Sequence, residues 1–135
     1  EKELDVNHAA VNAYGKTNLH SGLSDASPEK LIQLLLEGSS TRLNAAVAAM
    51  QAGKIAEKGE LIGKTISIIE YLRVILDQDA APEFTENLDS LYGYMVEQLV
   101  KANLRNDETA IKEVVGLISE LRAGWSELAR TGVNT

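Results

Sequence analysis

His8 and His20 are the two imidazoles of this 135-residue chain, and it has no cysteine. A dinuclear metal centre in a helical bundle takes inward glutamates plus a Glu-x-x-His pair on each of two helices. Both histidines lie in the first 25 residues, outside every helical stretch, and are too few for such a site. No metal and no other cofactor is expected. The missing thiols exclude disulfides, thiolate nucleophiles and Cys-ligated zinc, and fit a reducing cytosol. No nucleophile elbow or serine–lysine pair stands in a catalytic context. Glycines are scattered through helical stretches and do not gather into a loop that could cradle phosphate. Asp77 and Asp79 pair two carboxylates, but at a helix end, where solvation is their expected state. The chain is therefore not expected to be an enzyme. Its task is to hold another molecule, and the question becomes which surface does the holding.

The elements that would build such a surface are four amphipathic stretches, roughly 29–52, 55–79, 84–104 and 108–130. Short breaks separate them, so sequential neighbours should lie antiparallel. The expected fold is all-α: an antiparallel four-helix bundle over 26–130, preceded by an N-terminal arm or short extra helix over 1–25 and followed by a tail over 131–135. At this length the chain is one domain with a core of its own. No apolar run approaches the ~20 residues of a membrane span. Glu1 to Asp5 are mostly charged and lack an apolar stretch, so no signal peptide is expected there, although the missing initiator Met suggests a trimmed or engineered start that leaves room for a lost leader.

Ser27-Pro28 reads as a helix start: a hydroxyl cap followed by a Pro whose missing N–H costs nothing at the first position. In the first helix Leu31, Ile32, Leu35, Leu43, Ala46, Val47 and Met50 form a stripe, widened by Leu34, Leu36, Ala45 and Ala49. A helix apolar over more than half its circumference is covered on more than one side, and the arm could supply part of that cover. Gly53 should end the helix. The second helix buries Leu61, Ile62, Thr65, Ile66, Ile68, Ile69, Leu72, Ile75 and Leu76. Opposite that stripe Ala56, Gly63, Ser67, Tyr71 and Val74 form an uncharged, mostly small strip with Gly59 at its edge. Two mid-helix glycines each cost about 1 kcal/mol against Ala; close approach of another helix and simple tolerance in a stable bundle account for them equally well. The third helix buries Phe84, Leu88, Leu91, Tyr92, Met95 and Leu99, with Gly93, Val96 and Val100 extending that face sideways. Asn106-Asp107 is a turn and cap, and the fourth helix buries Ile111, Val114, Ile118, Leu121, Trp125 and Leu128.

Net charge is −7. No Lys or Arg stands between Arg73 and Lys101, whereas Asp77, Asp79, Glu83, Glu86, Asp89 and Glu97 do. That acidic stretch reads as a solvated rim and would repel phosphate, so no nucleic-acid partner is expected. Exposed small and apolar positions flanked by polar ones instead suit an amphipathic helix laid in a groove.

Four segments together resemble the flagellar secretion chaperones of the FliS family. They are Ser27-Pro28-Glu29-Lys30-Leu31-Ile32 with Leu36-Glu37-Gly38; Ile55-Ala56-Glu57-Lys58-Gly59-Glu60-Leu61-Ile62-Gly63-Lys64-Thr65; Asn87-Leu88-Asp89-Ser90-Leu91-Tyr92-Gly93-Tyr94-Met95 running on to Ala102-Asn103; and Val115-Gly116-Leu117-Ile118-Ser119-Glu120-Leu121-Arg122 with Trp125. Their order and spacing cover about residues 13–129. The resemblance implies a cytoplasmic chaperone that binds the C-terminal region of flagellin and stops premature filament assembly. It implies a client segment that is disordered alone and becomes helical while wrapping the bundle. It also implies an arm that covers a hydrophobic patch until the client displaces it. Tyr14, in Asn12-Ala13-Tyr14-Gly15, matches the functional aromatic residue of that arm, and Leu19 lies nearby. Other flagellar export components would be further partners. The alternative reading of the residues is a non-catalytic helical adaptor or regulatory bundle, dimeric through the strip on the second helix.

Overall fold

The computed structural model describes residues 27–76 and 82–131, with side chains up to Glu127. Four helices account for almost all of them: α1, Pro28–Gln51; α2, Ile55–Val74; α3, Pro82–Arg105; and α4, Glu108–Thr131. Each packs on two neighbours, in the ring order α1, α2, α3, α4 and back to α1. The helices run antiparallel. Gln33 at the start of α1 bonds Ser126 near the end of α4, while Gln51 at the end of α1 bonds Glu108 at the start of α4. Lys58 at the start of α2 bonds Asn103 near the end of α3.

The helix ends follow local chemistry. Ser27 Oγ accepts the Lys30 N–H at 3.2 Å, and Pro28 occupies the first turn. Gly53 takes φ +74°, which lets the Lys54 N–H reach back to the Ala49 carbonyl at 2.8 Å. Asn106 takes φ 51° and plays the same part between α3 and α4, since Asn tolerates the left-handed region better than most residues. Asp107 Oδ1 then caps α4 by accepting the Ala110 N–H at 3.1 Å.

The core runs through all four helices, with Leu36, Leu43, Ile62, Met95, Leu99 and Ile118 fully enclosed. Burial pushes the Tyr92 phenol up to about 12, so it stays neutral across the physiological range. Buried hydroxyls serve themselves: Ser39 and Thr65 each donate to the carbonyl four residues back.

Several expectations need correcting. The second helix ends at Val74, well short of residue 79, because Leu76 N–H turns back to the Arg73 carbonyl, closing the last turn tightly. Ile75, expected in the core, therefore stands 41% exposed, and Phe84, in the first turn of α3, stands 46% exposed. Leu36, expected on the flank of its stripe, is fully buried, whereas Ala45 is exposed. The breadth of the α1 stripe is matched by its two neighbours in the ring, α2 and α4. The acidic rim is only partly unpaired: Asp89 accepts from Arg73 at 3.0 Å. Asp77 and Asp79 lie outside the described residues.

Candidate partner-binding surfaces

Two neighbouring faces of the bundle leave apolar surface uncovered. The first is the α2–α3 face. On α2, Ala56, Gly63, Ser67 and Val74 are all exposed, as their common arc requires. A Cβ added at Gly63 would meet nothing within 4 Å. Ser67 keeps its hydroxyl on the Gly63 carbonyl at 3.2 Å, leaving no strong polar demand on that strip. Tyr71 is half-buried at the edge toward α1, and burial raises its phenol above the ordinary value. On α3, Val100 is 53% exposed and Val96 is half-buried against the core.

Cross-helix contacts set the register of this face. Gly59 lies beside Asn103, and Arg73 beside Asp89 and Gly93, so the antiparallel run brings Gly63 alongside the stretch that carries Val96 and Val100. The two sequence-expected strips thus form one surface. Gly93 is the exception. The Arg73 guanidinium, held by Asp89 and Glu70, lies over it, 3.5 Å from where a Cβ would stand. The same two carboxylates hold the guanidinium pKa above its ordinary value. Gly93 makes room for this clamp and offers a partner little open surface.

The second face was not foreseen as a surface. Between the first half of α3 and the second half of α4 lies an apolar cleft of about 350 Å³. Phe84, Leu88 and Leu91 form one wall; Leu117, Leu121 and Trp125 form the other, with Glu120 and Gly124 at the edge. A Cβ at Gly124 would meet nothing within 4 Å. Lower in the bundle, Glu113 accepts from Tyr94 at 2.9 Å and from Gln98 at 2.7 Å, joining α3 to α4. The hydrogen bond to Glu113 also raises the Tyr94 phenol above its ordinary value. Trp125, expected as core, is half-buried: it packs on the core and also walls the cleft. Five of the six walls had been assigned to the core by periodicity alone. The available signal was Leu117, an extra apolar residue beside the α4 stripe, together with Phe84 and Trp125 near helix ends, where the core tapers.

The cleft opens at the end of the bundle where the arm joins. Gln33 donates to the Arg122 carbonyl at 3.3 Å and to Ser126 at 3.1 Å, placing the start of α1 beside Trp125. Tyr14 and Leu19 lie outside the described residues. No group of three or more His, Cys, Asp or Glu side chains among the described residues is arranged to hold a metal ion. No helix among them is long and apolar enough to cross a membrane.

Comparison with known proteins adds the following. The family model described as "Flagellar protein FliS" matches residues 10–132. The chain is 43% identical over 120 residues to the flagellar secretion chaperone FliSB of Pseudomonas aeruginosa, covering 89% of this chain and 95% of the relative. It is 40% identical over 119 residues to the flagellar secretion chaperone FliS of Vibrio cholerae, covering 88% of each. It is 38% identical over 122 residues to that of Salmonella typhimurium, covering 90% of each.

Proposed function

Because the chain belongs to the FliS family of flagellar secretion chaperones, we propose that it binds the C-terminal region of flagellin in the cytoplasm and keeps it from polymerising before export. The observation that carries this reading is the α3–α4 cleft: six large apolar side chains facing an open volume of about 350 Å³. A soluble domain gains by covering such surface, and an amphipathic client helix gains by burying its apolar face in it. The α2–α3 face, with Ala56, Gly63, Ser67, Val74, Val96 and Val100, adds further contact for a segment that wraps the bundle. Holding the assembly-competent segment removes free monomer by mass action, and no nucleotide is consumed.

The arm fits the same scheme. Tyr14 precedes Ser27 by thirteen residues, a span of up to about 43 Å when extended. Ser27 stands at the cleft end of the bundle, so Tyr14 and Leu19 can reach the cleft and shield it until the client arrives. Other export components would then meet the loaded complex.

Titration calorimetry with full-length flagellin and with a C-terminally truncated form tests the reading. One-to-one binding of the full-length protein alone is expected, with a large negative heat-capacity change as the segment folds and buries apolar surface. Equal binding of both forms would overturn it.

A further inference from the structure

The α4 side of the apolar cleft is edged by carboxylates. Glu113, Leu117, Glu120 and Gly124 follow one another at three- and four-residue spacing, so they form one row along α4. Glu113 fixes the direction of that row, because it accepts from Tyr94 and Gln98 of α3. Leu117, Glu120 and Gly124 line the cleft itself. On α3 the same two bonds make Phe84, Asn87, Leu91, Tyr94 and Gln98 the row that faces α4. Glu83, Ser90 and Glu97, seven residues apart, form the next row outward, and all three are exposed.

No cation among the described residues balances these carboxylates. α3 has no Lys or Arg from Pro82 to Val100, and Arg122 is the one cation on α4 between Glu113 and Trp125. Arg122 turns the other way: its Nη2 lies 3.9 Å from Glu37 Oε2 on α1. Arg73 is held by Glu70 and Asp89 on the α2–α3 face. Lys30 stands on α1, which packs on α4 and not on α3, so α4 lies between it and the Glu113–Gly124 row. Lys112 pairs with Glu108 at 2.7 Å, and Lys101 lies 3.8 Å from Asp107, both toward the opposite end of the bundle. Glu120 has no hydrogen-bond or ion-pair partner among the described residues and is exposed, so water solvates it. A helix that covers the cleft covers Glu120 as well, and a carboxylate taken from water without a partner is costly. The occupant must bring a cation to that point.

The geometry points to a basic amphipathic helix as the occupant of the cleft: an apolar face about two turns long, matching the rise from Phe84 to Leu91, with a Lys or Arg over Glu120. The inference rests on the reading that the cleft holds a client helix, and it names the charge that helix carries. An acidic helix of the same apolar pattern would press like charges together and be rejected, which is how charge confers partner choice.

Two tryptophan-free helical peptides test it, with identical leucines at three- and four-residue spacing, one flanked by Lys and one by Glu. Each is titrated into the full chain, with Trp125 emission reporting the cleft and anisotropy of a dye on the peptide reporting total binding. The Lys peptide should bind at least about tenfold more tightly at low salt and shift the Trp125 emission to shorter wavelength. The gap should shrink as salt is raised. Glu120→Lys should abolish or reverse the preference, and Glu120→Gln should narrow it. Glu57→Lys makes the same change in net charge at an exposed position at the start of α2, and should leave the preference nearly intact. These positions are exposed, so melting curves should stay near the parent's; if Glu120→Lys misfolds, Glu120→Gln decides. Equal affinity for the two peptides, equal effects of Glu57→Lys and Glu120→Lys, or Lys-peptide binding that leaves Trp125 unmoved would overturn the inference. Flagellin is titrated in parallel. Charge-selective peptide binding without flagellin binding would sink the flagellin reading and leave the charge selection standing; flagellin binding without charge selection would do the reverse.

Discussion

Lys58 is 3% exposed, an uncommon place for an ammonium group, and its replacement tests whether the α2–α3 end is held by polar chemistry. Its Nζ donates to the Asn103 carbonyl at 2.9 Å and to Asn106 Oδ1. The first of these is one of the last four carbonyls of α3, which have no partner within their own helix. Hydrogen bonds from a charged donor contribute about 1.5–3 kcal/mol each. Against them stands the desolvation of the ammonium, itself several kcal/mol. Both acceptors belong to exposed residues, so water can replace the ammonium. Lys58→Met keeps the stem and removes the charge; the balance predicts a loss of about 1–2 kcal/mol. Lys58→Ala also removes three buried methylenes at about 0.8 kcal/mol each, giving a total of about 3–4 kcal/mol. At roughly 3 °C per kcal/mol for a domain of this size, Met should melt about 3–6 °C and Ala about 10 °C below the parent. Urea midpoints should fall in the same order, with unchanged slopes. A Met variant as stable as the parent, or more so, would refute the reasoning: burial of the ammonium would then cancel the tie entirely. Equal losses for Met and Ala would show that the stem packs against nothing.

Gly63→Ala should stabilise the bundle by about 0.5–1 kcal/mol, since it relieves a mid-helix glycine and its Cβ meets nothing; a lower melting temperature would contradict the open geometry. Trp125→Ala should cost only about 1–2 kcal/mol, less than the 3–5 kcal/mol typical of an enclosed aromatic residue, because the ring is half-buried. The same variant should bind flagellin at least about tenfold more weakly in calorimetry, a loss of about 1.4 kcal/mol; parent-like affinity would remove the cleft from the binding surface. Deleting residues 1–24 should raise the fluorescence of an apolar dye by uncovering the cleft, and an unchanged signal would mean that the arm does not shield it.

The bundle was legible because its determinants are local. Periodic apolar residues, the Ser27-Pro28 start, the Gly53 stop and the Asn106-Asp107 turn each carry their own physical signature; the start, the stop and the turn stand where they were expected, and so do most of the apolar stripes, Ile75 and Phe84 being exceptions. The end of α2 was not legible, because Ile75 and Leu76 continue the apolar period past the point where the backbone stops being helical. The outward strip on α2 followed from the same periodicity that placed the core. Gly93 could not be judged, since its cover is a side chain from another helix, Arg73. Lys58 was hidden for the same reason: a charged residue in a helix reads as solvated unless its acceptors, 45 and 48 positions later, are known. The cleft was missed because periodicity says which residues face inward and not whether the opposing helix closes over them. Phe84 and Trp125 face inward at a level where α3 and α4 leave space.

The central claim is that the cleft receives the C-terminal segment of flagellin, and the chain carries its own reporter, since Trp125 is its single tryptophan. Trp125 emission should be recorded while a tryptophan-free peptide of that flagellin segment is added to the full chain. Enclosure of a half-buried indole should shift the emission to shorter wavelength and saturate at one equivalent. A saturating shift that disappears when Leu121, one turn before Trp125 on the same α4 wall, becomes Glu, in a variant that still melts cooperatively, is the predicted result. An emission spectrum that does not change while calorimetry reports tight binding of the same peptide would contradict the claim and place the client elsewhere on the bundle.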